Sequence, residues 1–311
     1  MNITPGQLVE HPNRPQWGPG KVLKVGPDQA LVFFVDAGPH NGATKNPIVI
    51  ALSAVSLQPA SVISHPRLDN LAPLAGDSVT GDQTYVSLAQ GITRFHHLFP
   101  DGLTSEAFHR HERDYKWTAH LECVRALSKQ ELDSLLKRGG YEEIAHRAKH
   151  VINMVNLLGS FEVMALNDVL KSPKTQQQFA EALFNLLHGD GPFELRFTGF
   201  ADMLAALPQK KSPVLKWSIQ TIFPFLCTPS THMFLKPEVT QQAALRCAFD
   251  LRYEAKPNWT TYSRLLKLCE ILSHELRALK PKDYIDLQSF IWCIGDDSYT
   301  KSPARERLPT H

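Results

Sequence analysis

The densest run of reactive side chains is FHRHERDYKWTAH, residues 108–120, which brings together His109, His111, Glu112, Arg113, Asp114, Lys116 and His120. On a helix, His111 and Asp114 share a face at i, i+3, and Lys116 and His120 at i, i+4. Imidazole and carboxylate groups at such spacings are what a divalent metal takes. No His-Glu-x-x-His is present, however, and the signs alternate as on a charged helix face or in a salt-bridge network between helices, which is the stronger reading. A second arrangement is Pro100-Asp101 followed by Asp114-Tyr115-Lys116. That is the order of a metal-dependent nuclease, in which carboxylates and a lysine on adjacent strands hold Mg²⁺ beside a phosphate. Here Asp114 and Lys116 fall in a helical pattern, where two residues apart means about 200° apart. Glu254-Ala255-Lys256 repeats the order in a loop before Pro257. There is no Gly-x-Ser-x-Gly, no phosphate loop, no Gly-x-Gly-x-x-Gly and no helicase motif, and Gly159-Ser160-Phe161 reads as a helix stop. No catalytic residue, metal ligand or cofactor is therefore assigned. A nuclease in the helical part is kept as an alternative.

The totals narrow the class further. The chain has 311 residues, room for two domains, and 33 Lys and Arg stand against 31 Asp and Glu. A net charge of +2 makes no whole-protein case for nucleic acid. Five scattered cysteines, Cys123, Cys227, Cys247, Cys269 and Cys293, sit in apolar periodic stretches without a C-x-x-C, and read as reduced core thiols. The opening MNITPGQLVEHP has neither a basic nor an apolar signal region, and no window is long and apolar enough to span a membrane. A cytoplasmic protein of bacterial style, with no membrane contact, is expected.

The elements that must position these groups fall into two kinds. Gln7–Glu10, Lys21–Val25, Ala30–Val35 and Ile48–Leu52 are short β-rich runs punctuated by Gly, Pro and Asn-Gly, and so many short strands before residue 58 make a small barrel. Residues 59–83 have no lasting period and read as a linker with one short packed turn. Residues 84–294 are helical. Glu106–Leu127 has Trp117, Leu121 and Val124 on one stripe, Ser128-x-x-Glu131 is a capping box, and Gly139-Gly140 and Gly189 stop helices. Pro237 opens another helix, Tyr262–Leu279 forms a long amphipathic one, and DYIDLQSFIWCI a last apolar one. The stretch 215–237, rich in Phe and broken by Pro224, Pro229 and Pro237, reads as a buried irregular connection. Residues 295–311 read as a disordered polar tail. The fold class is α+β, an N-terminal barrel over residues 1–58 followed by a larger all-α domain.

The barrel segment carries the one specific motif, HPNRPQWGPGKV. Gly18 and Gly20 permit a tight connection between strands, and Pro12, Pro15 and Pro19 stiffen it. Trp17 then stands at one end of the barrel. It either lies over the opening or presents a flat apolar face to a partner.

His11, Pro12, Pro15, Trp17, Gly18, Gly20, Val22, Phe33, Ala37 and Gly38 together resemble the small SH3/Tudor-like domain at the C-terminus of UvrD/PcrA-type helicases. More distantly they resemble the RNA-polymerase-interacting domain of CarD and of the transcription–repair coupling factor. The resemblance covers residues 5–58 and implies a docking module that pairs an exposed edge strand with a protein partner. Leu31–Val35 is the candidate edge. Arg14, Trp17, Lys21, Leu31, Phe33 and Val35 are the candidate partner-binding residues. The segment PHNGATKNPIVIAL after Gly38 departs from the pattern and reshapes the far edge. The leading expectation is a non-enzymatic adaptor whose partner is RNA polymerase or a DNA repair or defence complex, with the helical domain as a second surface. The alternative is a CarD-type nucleic-acid-binding regulator. CarD-like proteins wedge a Trp into the DNA minor groove, and Trp259 with Arg252, Lys256 and Arg264 is the corresponding candidate here.

Overall fold

The computed structural model describes residues 3–38, 41–43, 46–71, 88–208 and 213–300. The architecture is α+β, a curled antiparallel sheet followed by a mostly helical region. The chain divides into two compact units. The first comprises Met1–Pro100, Gln241–Leu251 and Cys293–Asp297, and the second Asp101–Thr240, Arg252–Trp292 and Ser298–His311.

The first unit holds β1 (Leu8–Glu10), β2 (Gly20–Val25), β3 (Gln29–Phe34), β4 (Ile48–Ala51) and β5 (Gln58–Pro59), in the spatial order β4-β3-β2-β1-β5. The run Ala30–Phe34 is continuously apolar rather than alternating because both faces of β3 are buried. Ala30, Val32 and Phe34 enter the concave core with Val9, Trp17, Val22, Ile50 and Leu57. Leu31 and Phe33 point the other way and pack with Leu23, Val35, Leu68, Leu71 and Ala248.

The cover for that outer face comes partly from sequence expected to be a linker. Helix α1 (Pro66–Asp69) starts at a His65 cap and brings Leu68 down onto the sheet. Lys21 Nζ donates to the carbonyls of Leu68 and Leu71 at 2.9 and 2.8 Å, and the Asp250 N–H donates to the carbonyl of Asn70. The packed turn is thus present; residues 72–83 lie outside the described residues. Helix α2 (Leu88–Leu98) follows. Its Arg94, together with Arg246, donates to Asp297 Oδ1 at 3.2 and 2.8 Å. This pairing corrects the expected tail, since Asp297–Thr300 forms a 3₁₀ turn; residues 301–311 lie outside the described residues.

The second unit is helical: α3 (Glu106–Phe108), a π-helical turn His109–Arg113, α4 (Asp114–Ala126), α5 (Lys129–Lys137), α6 (Tyr141–Asn153), α7 (Ser160–Val169), α8 (Pro173–His188), α9 (Phe193–Ala206) and α10 (Trp217–Cys227). Three more follow, α11 (Pro237–Arg246), α12 (Trp259–Glu275) and α13 (Tyr284–Gly295), and α11 and α13 give their last residues to the first unit. The capping box is present, with Ser128 Oγ accepting from the Glu131 N–H. The stretch 215–237 is not irregular throughout. Trp217–Leu226 is a fully buried helix that keeps Pro224 inside it, because packing against α4, α8 and α9 outweighs one missing hydrogen bond. The stripe Trp117, Leu121 and Val124 is the exposed face of α4, while Lys116, Ala119, Cys123 and Ala126 face inward. Cys123 and Cys227 form a disulfide between α4 and the end of α10, which corrects the reading of five reduced thiols; Cys247, Cys269 and Cys293 are buried and outside any disulfide.

Phe33 is fully buried, so Phe33→Ala is expected to lower stability by about 3–5 kcal/mol, read as the urea-unfolding midpoint followed by circular dichroism. An unchanged midpoint would contradict the two-sided burial of β3.

Candidate functional site

Trp17 lies down rather than outward. It is 7% exposed, its Nε1–H donates to the carbonyl of Asn41 at 2.8 Å, and its ring packs on Phe34 and His11 at centroid distances of 5.4 and 5.0 Å. The glycines of the motif have different tasks. Gly18 sits at φ +66°, where a side chain is strained, and a Cβ there would also meet the Asp36 carboxylate at 2.7 Å. Gly20 is not at positive φ; a Cβ there would meet the Phe34 ring at 2.6 Å, so its absence lets the strand close over the aromatic core. Asn41 Nδ2 ties the corner by donating to the carbonyls of Gln16 and Asp36. What the corner presents is residues 12–16, all exposed. The loop is braced by the Arg14 N–H donating to the carbonyl of His11, and the Arg14 guanidinium stands 5.8 Å from the Trp17 ring. Burial and the Arg14 charge both lower the His11 pKa, so this imidazole is neutral at pH 7.

The expected edge strand is not an edge. Leu31–Val35 belongs to β3, which is paired on both sides, and Leu31, Phe33 and Val35 are buried. Lys21 is also engaged, its ammonium held by two carbonyls and its pKa lowered by burial against the opposing pull of Asp69. Of the six candidates, Arg14 alone is exposed. Among the described residues the sheet ends at β5 and at β4, and β4 is the longer edge. Asn46 fixes its entry. Its side chain accepts from the Phe34 N–H at 3.2 Å and donates to the Phe34 carbonyl at 2.6 Å, extending the ladder by one side-chain rung. Alternation from Phe34 through Val32 and Ala30 turns Ile48 and Ile50 toward β3 and aims the Val49 N–H and C=O outward. The Val49 side chain is 39% exposed. Residues 46–58, NPIVIALSAVSLQ, contain no charged side chain, so the edge lacks the lysine that usually blunts such strands. That uncharged run was the sequence signal for the edge; the hydrophobicity of 31–35 signalled burial.

In the second unit the polar stretch becomes a network between helices. Arg113 donates to Asp283 at 2.7 Å and to Asp286 at 2.5 Å. Lys116, fully buried, donates to Glu112 and Ser289 at 2.8 Å each, and Tyr299 Oη donates to the other Glu112 oxygen. Burial raises the Asp286 pKa, opposed by the Lys282 N–H and the Arg113 charge. His109 pairs with the exposed Asp114, and His120 Nδ1–H donates to the carbonyl of Leu226. Asp114 and Lys116 thus point to different partners, as their spacing required. Among the described residues no group of three or more His, Cys, Asp or Glu side chains could hold a metal ion.

Trp259 is half-buried at the start of α12 and packs with Phe193, Phe197 and Tyr262 at 5.9–6.1 Å. His232 stacks on Phe193 at 3.9 Å, and Arg196 covers the same ring. This aromatic cluster engages the Trp259 ring instead of leaving it as a free wedge. Arg252 and Lys256 are exposed and Arg264 is half-buried. Sequence spacing gave no hint of the Phe193 and His232 partners, which arrive from α9 and from the loop after α10.

A family model described as a protein of unknown function (DUF3553) matches residues 3–55, the span of the sheet from before β1 to just after β4. No curated protein and no solved structure matches the chain. No helix among the described residues is long and apolar enough to cross a membrane.

Arg113→Ala would leave two largely buried carboxylates without their partner and is expected to cost about 3–5 kcal/mol in chemical unfolding, with Arg113→Lys in between. The His232 pKa is lowered to about 4 by burial, helped by the Arg196 charge. The unfolded chain takes up this proton near pH 6.5 and the folded chain only near pH 4, so stability falls as pH drops through that window, by up to about 3 kcal/mol. His232→Phe should flatten this part of the stability–pH curve; an unchanged slope would contradict a buried neutral imidazole.

Proposed function

We propose that the protein is a non-enzymatic adaptor whose N-terminal sheet docks on a protein partner by adding the partner's strand to β4. The observation that carries this reading is the uncharged β4 edge, with the Val49 backbone groups aimed outward and its side chain half-exposed. Strand addition draws affinity from main-chain hydrogen bonds, and it needs a rigid host, which the two-sided packing of β3 supplies. The braced, exposed Arg14 loop is a second contact on the same unit.

The resemblance of residues 5–58 to the SH3/Tudor-like domains of UvrD/PcrA-type helicases, CarD and the transcription–repair coupling factor makes bacterial RNA polymerase the first partner to test. A repair or defence complex is the second. The nucleic-acid alternative has less support, since Trp259 is engaged by its aromatic neighbours and the net charge is near zero.

Val49→Lys places a charge on the edge, and Val49→Pro removes its outward N–H; both spare the β3 pairing of Ile48 and Ile50. Each is expected to weaken binding to purified RNA polymerase at least tenfold in surface plasmon resonance while leaving the melting midpoint within a few degrees of wild type, the usual range for surface changes. Wild-type affinity in both variants would remove β4 as the dock, and no binding by the wild type would remove polymerase as the partner.

A further inference from the structure

We propose that the Cys123–Cys227 bridge is a reversible thiol–disulfide exchange site, entered at Cys227 by a low-molecular-weight thiol, and that the helical unit is folded in both redox states.

The two sulfurs are unequal. Cys123 is fully buried on α4, whereas Cys227 is half-buried as the last residue of α10 and is followed by the exposed Thr228. An incoming thiolate therefore attacks Cys227 Sγ. The S–S bond breaks, its electron pair leaves on Cys123 Sγ, and that sulfur takes up the proton released by the attacking thiol. Cys227 is then a mixed disulfide. A second thiol displaces it as the small disulfide, so one protein disulfide and two thiols give two cysteine thiols and one small disulfide.

The fold does not hang on the bridge. One turn before Cys123, His120 Nδ1–H donates to the carbonyl of Leu226 at 2.7 Å, a second clasp between the same two helices. Around α10, Phe179, Phe200 and Phe223 pack with centroid distances of 5.9–6.4 Å, in a unit large enough to bury its own core. The exchange is also selective. Cys247, Cys269 and Cys293 are buried, and burial pushes the Cys247 thiol up to about 12 and raises that of Cys269, so neither supplies a competing thiolate. The bridge closes a span of 104 residues, so opening it frees a long loop in the unfolded chain.

The test equilibrates the purified full chain with glutathione buffers from fully oxidised to fully reduced, followed by acid quench, denaturation, alkylation and intact-mass measurement. Three alkylated thiols are expected at the oxidised end and five at the reduced end. Circular dichroism should be native at both ends, with the reduced form melting roughly 5–15 °C lower. With oxidised glutathione, Cys123→Ser should carry glutathione on Cys227, and Cys227→Ser should leave Cys123 unmodified. Five thiols at every ratio would overturn the proposal. So would loss of native dichroism on reduction, which needs only the wild type to detect, or glutathione found on Cys123.

Discussion

Strand β3 has no solvent face, and the architecture of the first unit follows from satisfying both sides of it. Phe34, Val32 and Ala30 require a concave core, which the curl of the sheet and the recumbent Trp17 provide. Phe33 and Leu31 require a cover, which α1 and Ala248 provide from far along the sequence. Each buried Phe or Leu contributes on the order of 1.5–3 kcal/mol, enough to hold a stretch as polar as residues 59–71 against the sheet. Lys21 then finds its ammonium partners in the carbonyls at the end of α1. With β3 committed on both faces and both edges, the sheet edges among the described residues fall to β4 and the two-residue β5.

The same logic runs through the helical unit with charge in place of apolar area. A lysine and an arginine on the inward face of one helical segment demand buried partners, and α13 supplies Asp286 and Ser289, with Asp283 just before it. Such a network contributes little net stability over an apolar core, yet it is costly to break from one side, so it fixes how α4 and α13 meet. On the outward face of α4, the Trp117 ring covers the Arg113 guanidinium at 5.2 Å, while Leu121 and Val124 are exposed.

Much of this was legible in the sequence. The four main strands, the capped helices and the Trp-Gly-x-Gly corner follow from local rules that need only neighbours a few residues away. What was misread needed long-range contacts. Leu31–Val35 looked like an edge because apolar β-formers serve edges and double-buried strands alike, and only the α1 and Ala248 cover decides between them. Pro224 looked like a breaker because its cost is local and the packing that offsets it is not. Cys123 and Cys227 stand 104 residues apart, and no spacing rule pairs them. The salt-bridge network between helices was one of the two readings of the stretch around Lys116, but its partner Ser289, far down the chain, was not legible.

For the dock proposed on β4, the two-sided packing of β3 means that strand addition would need no rearrangement of the host sheet. The most direct measurement is backbone amide hydrogen exchange of the full chain, alone and with purified bacterial RNA polymerase. The Val49 amide, turned outward, should exchange rapidly in the free protein and become protected in the complex, while the Ile48 and Ile50 amides are protected in both. Protection arising elsewhere with Val49 still exchanging freely would contradict the β4 dock.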